Sequence, residues 1–83
     1  MSAEELAKKL AGTIEYLFER WRDEWMYEDW SDYEDHARKA VEKDGGEFIH
    51  FKKKPFVLRF KKGDQTLDIK CNTKELSITK LLD

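Results

Sequence analysis

The chain has 83 residues, is 40% hydrophobic and 41% charged, and carries a formal net charge of −2 and one cysteine, Cys71. A chain of that length makes one domain with a thin core, since domains commonly run to roughly 100–150 residues. A single thiol excludes an internal disulfide framework, and no apolar run approaches the ~20 residues that span a bilayer. The amino terminus lacks the basic and apolar regions of a secretion signal, so the expectation is a cytoplasmic protein without a membrane partner.

Charge is unevenly distributed. Residues 1–44 hold 7 Lys+Arg against 13 Asp+Glu, and residues 45–83 hold 9 against 5. The single domain, 1–83, therefore divides into an acidic part (1–44) and a basic part (45–83), an asymmetry that hints at an interaction surface.

In the first part, Ala3, Leu6, Leu10, Ile14, Leu17, Trp21 and Trp25 recur at spacings of three and four, with Ala7 and Phe18 widening the stripe. This spacing predicts an amphipathic helix of about 25 residues. Ser2 is its candidate N-cap, with Glu5 three residues later. Carried forward, the stripe would bury Glu28, Asp32, Asp35 and Lys39, so the helix must break near 27–31. Ser31 and Glu34 match a capping box, which predicts a second helix over about 32–43 with Tyr33, Ala37, Ala40 and Val41 on its inner face. A single kinked helix is the alternative. Gly45-Gly46 supplies a left-handed stop.

Beyond Gly46 the pattern changes to period two. Glu47–Lys53, Phe56–Lys62 and Thr66–Cys71 read as strands, with Phe56, Leu58, Phe60, Leu67, Ile69 and Cys71 inward and Val57, Arg59 and Lys61 outward. Lys54-Pro55, Gly63-Asp64 and Asn72-Thr73 mark the turns. Residues 74–82 read as a fourth strand from the alternation of Leu76 and Ile78, with a short helix capped by Asn72 as the alternative. The expected fold class is α+β: two amino-terminal helices packed on a three- or four-stranded antiparallel β-meander.

Nothing in the sequence marks out catalysis. There is no G-x-S-x-G, no phosphate-binding loop and no Gly-rich cradle, so the chain is expected not to be an enzyme and to need no cofactor. Cys71 alternates with core residues and reads as inert. His36 and His50 lack metal-ligand spacing, so no metal site is expected. His36 could pair with Asp32 one turn earlier, and His50 reads as an exposed strand residue.

Two clusters remain. Residues 15–35 carry nine acidic side chains and seven of the eleven aromatics. The predicted partner-binding patch is Glu24, Tyr27, Glu28, Asp29, Trp30, Asp32 and Asp35, because Tyr/Trp rings among carboxylates suit docking on a basic protein surface. Against it stands a reading in which the junction packs these rings locally. The second cluster is Lys52, Lys53, Lys54, Arg59, Lys61 and Lys62, an alternative nucleic-acid-binding hairpin. In the bland reading its lysines protect strands from edge pairing.

The leading expectation is a non-enzymatic protein-binding module that inhibits or modulates a nucleic-acid-handling protein. In size, acidity and absence of active-site motifs the chain is similar, by composition only, to small phage-encoded inhibitors such as DNA mimics and anti-CRISPR proteins. The alternatives are the nucleic-acid binder and a structural homo-oligomer, a homodimer for example, that buries its surplus aromatics at a twofold interface.

Overall fold

The chain begins with a capping box. The Ser2 hydroxyl accepts the Glu5 N–H at 3.1 Å, and Glu5 Oε1 accepts the Ser2 N–H at 3.1 Å, satisfying two donors that the first helical turn leaves exposed. These bonds hold the Glu5 carboxyl below its usual range. Helix α1 then runs Ala3–Glu24. Its predicted stripe is its inner face: Leu6, Ala7, Leu10, Ile14 and Leu17 are buried, with Phe18 and Trp21 packed at the margin.

The computed structural model describes residues 1–24 and 29–81. Trp25 of the predicted stripe and Leu82 of the predicted last strand lie outside the described residues.

Two separate helices form, not one kinked helix. Asp29 is extended (φ −79°, ψ 149°), and helix α2 spans Trp30–Lys43. The predicted start at residue 32, capped by Ser31 and Glu34, needs correction. The cap residue is Asp29, without a side-chain cap bond, while Glu34 reaches Arg38 at 3.6 Å. The reason is burial. Starting at residue 30 aligns Trp30, Tyr33, Ala37 and Val41 in one stripe, and seating a tryptophan against the core outweighs the ~1 kcal/mol of a side-chain cap. At the far end Gly45 takes φ 80°. The Gly45 and Gly46 N–H groups donate to the carbonyls of Glu42 and Val41, each at 3.0 Å, which is the Schellman closure that a left-handed glycine permits.

Four strands follow: β1 Glu47–Lys53, β2 Phe56–Lys62, β3 Gln65–Cys71 and β4 Leu76–Leu81. They form one antiparallel sheet in the order β1-β2-β3-β4, so the expected α+β meander is the fold. Turns as short as these allow only antiparallel neighbours. Gly63 turns β2 into β3 with φ 63°, the pattern of a type II′ hairpin with glycine first. The segment after Cys71 is a strand because Asn72 closes a turn and caps no helix. Its Oδ1 accepts the N–H groups of Lys74 (2.8 Å) and Glu75 (2.9 Å).

Both helices lie on one side of the sheet, α1 chiefly over β3 and α2 over β1. Leu58, Phe60 and Ile69 are fully enclosed between the layers, and each such side chain contributes roughly 1.5–3 kcal/mol. Among the described residues the other face carries no helix. Even so, Val57 there is buried, contrary to the expected wet position. Lys52 and Lys70 flank it in register, and the apolar stems of lysines cover such a residue while their ammonium groups stay in water.

Candidate functional site

The helix junction has an inner and an outer side. On the inner side Trp30 is half-buried. Its ring lies 4.8 Å from Phe51, 5.5 Å from Trp21, 5.6 Å from Phe56 and 5.7 Å from Tyr33, centroid to centroid. Its indole N–H donates to the Phe51 carbonyl at 3.2 Å, giving the polar end of a packed tryptophan its partner. Trp30, expected in the surface patch, is therefore core structure: its ring fills the corner where α1, α2 and β1 meet.

On the outer side an open groove of about 300 Å³ runs between the helices, lined by Tyr16, Leu17, Arg20, Asp32, Tyr33 and His36. Tyr16 is 52% exposed, the largest exposed aromatic among the described residues. The Arg20 guanidinium donates to its hydroxyl at 3.2 Å, and the His36 ring stands 6.4 Å away. His36 thus meets Tyr16, not Asp32 as expected. Tyr16, Glu19, Arg20 and Asp23 enclose a second, shallower hollow beside the groove.

Of the other predicted patch residues, Asp29 and Asp32 are exposed and, among the described residues, form no ion pair. Asp35 is exposed but lies 3.0 Å from Lys39 on the same helix, an i,i+4 pair worth little to stability. The Glu24 side chain, Tyr27 and Glu28 lie outside the described residues. The phase of Tyr16, off the apolar stripe of α1, marks it in the sequence as a ring that does not fit the core, but the predicted patch residues did not include it. Glu19, also exposed and unpaired among the described residues, was counted among the acids but not singled out.

The basic cluster is dispersed. Arg59 makes a two-pronged pair with Asp68, 2.7 Å from Nε to Oδ1 and 3.0 Å from Nη2 to Oδ2. That bond is the first cause holding the guanidinium firmly protonated. Lys62 Nζ donates to the Asp44 carbonyl at 3.0 Å. Lys53 reaches across to the Trp21 and Trp30 rings, 5.5 and 6.0 Å from their centroids. Lys52, Lys54 and Lys61 remain exposed. Phe51, Phe56 and Phe60 are buried, so no stacking platform accompanies the lysines.

His50 stands beside Arg59 in register. It is half-buried where exposure was expected. Desolvation first, then the charges of Arg59 and Lys52, push its imidazole below the ordinary value of 6.5. Cys71 is buried as expected; burial, aided by the fields of Glu15 and Glu19, pushes its thiol up and keeps it in the unreactive protonated form. Among the described residues no group of three or more His, Cys, Asp and Glu side chains is placed to hold a metal ion, and no helix is long and apolar enough to cross a membrane.

Compared with known proteins, the chain matches no family model, no curated protein and no solved structure.

Proposed function

We propose that the protein is a non-enzymatic protein-binding module whose helix layer docks on a basic surface, and that it inhibits or modulates a nucleic-acid-handling protein. The observation that carries this reading is Tyr16, half-exposed beside an open groove, with the carboxylates of Glu19 and Asp32 facing water without ion-pair partners among the described residues. An amphipathic ring gives contact area at low entropic cost, and unpaired carboxylates around it steer a cationic partner. Asp29, at the head of α2, extends the same acidic layer.

Binding of immobilised protein to a lysate of its source organism tests the reading. Glu19→Lys/Asp29→Lys/Asp32→Lys should leave the fold intact, because all three side chains are exposed, and should release whatever basic protein the parent chain retains. Tyr16→Ala should release it as well. Equal retention by parent and triple variant rejects the proposal.

A second reading rests on Lys52, Lys61 and Lys70, which are exposed on the uncovered sheet face and suit phosphate contacts. It requires a salt-sensitive gel shift with single-stranded oligonucleotides that Lys→Glu changes abolish. Absence of any shift at low salt removes it.

A further inference from the structure

The two edges of the sheet are built differently. Edge strand β1 has a register irregularity between Phe48 and His50 and carries Lys52 and Lys53, the usual defences against edge pairing. Edge strand β4 reads Leu-Ser-Ile-Thr-Lys-Leu and pairs without irregularity along β3. It has no proline and only one charged residue, Lys80. Among the described residues no other strand pairs with it.

Its open hydrogen-bonding groups can be assigned. The Asn72 N–H donates to the Glu75 carbonyl at 3.0 Å, so Asn72 and Glu75 are a hydrogen-bonded pair. In an antiparallel ladder such pairs alternate with non-bonded ones. With the register Cys71–Leu76, Lys70–Ser77, Ile69–Ile78 and Asp68–Thr79, Ser77 and Thr79 bond to β3. Leu76, Ile78 and Lys80 turn their N–H and C=O groups to the open edge. Their side chains share the helix-bearing face with Ile69 and Cys71, and Ile78 is 40% exposed there.

We propose that β4 pairs with β4 of a second copy of this chain, antiparallel about a twofold axis through Ile78, to make one continuous eight-stranded sheet. Cross-strand partners must face the same side of the sheet, so the axis of a symmetric pair passes through a residue. Centring it on Ile78 pairs Ile78 with itself and Leu76 with Lys80 of the other copy, all through edge-facing backbone groups. It also sets Ser77 against Thr79, a favourable cross-strand pair.

Charge selects the second copy as occupant. Leu76 lies in a hollow lined also by the carboxylates of Glu15, Glu19 and Glu75 and by the cations Arg22 and Lys74, an excess of acid over base. Glu15 and Glu19 have no ion pair among the described residues, while Arg22 is 3.2 Å from Asp23. The register brings Lys80 of one copy alongside Leu76 of the other, beside those two carboxylates. Symmetry makes the contact twice.

Sedimentation of the full chain from low micromolar to millimolar concentration tests this. The parent chain should pass from monomer to dimer. Ile78→Pro removes an edge-facing N–H that β3 does not use and should leave a monomer with an unchanged circular-dichroism spectrum. Lys80→Glu, at an exposed position, should weaken the dimer by about tenfold, and adding Glu15→Lys and Glu19→Lys should restore it. Mixing Ser77→Cys with Thr79→Cys chains under oxidation should give more cross-linked dimer than either alone. A parent chain that stays monomeric at millimolar concentration, or a dimer indifferent to Lys80→Glu, overturns the proposal. Both results are read at β4 and neither decides the Tyr16 groove; Glu19 borders both hollows, and Tyr16→Ala, which leaves the Lys80 contact intact, keeps the two tests apart.

Discussion

Trp30 and Tyr16 belong to the same helix junction and have opposite fates. Trp30 is held by four neighbouring rings and a hydrogen bond from its indole. Tyr16 meets Arg20 and His36 and leaves half its surface in water. Aromatic content therefore does not identify a binding surface; what matters is which rings the fold leaves uncovered. The charges teach the same lesson. Arg59, Lys62 and Lys53 are engaged within the sheet and at its margin, whereas Glu19, Asp29 and Asp32 face solvent from the helix layer.

The sharpest way to break this comparison is to truncate both rings. Trp30→Ala should cost about 3 kcal/mol, as large-to-small changes in aromatic cores do. Tyr16→Ala should stay within about 0.5 kcal/mol, as exposed sites do. Urea denaturation of the two variants measures the contrast, and equal losses would erase the distinction between interior and groove.

A smaller effect separates the cations. Arg59→Met leaves Asp68, 8% exposed at its side chain, a carboxylate without its guanidinium, so the urea midpoint should fall. Lys61→Met, with no such partner among the described residues, should leave it unmoved. Equal midpoints would mean that the sheet cations are no more committed to the fold than the helix-layer acids.

The smallest effect is a pH dependence. His50 has a folded-state pKa below its ordinary 6.5, so the unfolded chain binds the proton more readily. The stability this contributes is complete above about pH 6.5 and is lost as pH falls from there toward the lower folded value. The Asp44 carboxyl, lowered chiefly by the bond from Lys9 at 2.9 Å, contributes above its ordinary 3.8 and fades only below it. Melting curves of His50→Gln should therefore lack a step near pH 6.5 that the parent chain shows, while both lose stability in stronger acid. A step that survives the substitution would have to come from another group.

Local signals settled much of this protein in advance. The helix stripe, the Ser2–Glu5 cap, the Gly45-Gly46 stop, the strand alternation and the turns could be read directly, because each depends on neighbours a few residues away. The α+β meander followed from turns too short for any other connection. What remained hidden was decided by distant contacts. Trp30 could be placed only once Phe51 and Phe56 were known to meet it, and the ring's demand for burial moved the start of α2 two residues ahead of a well-formed capping sequence. The commitment of Arg59 to Asp68, the burial of Val57 and the half-enclosure of His50 required the strand register. The groove beside Tyr16 required the packing of two helices whose sequences show only that each has an outer side. A chain records its own periodicity, but which polar atoms find partners depends on surfaces brought together from opposite ends of it.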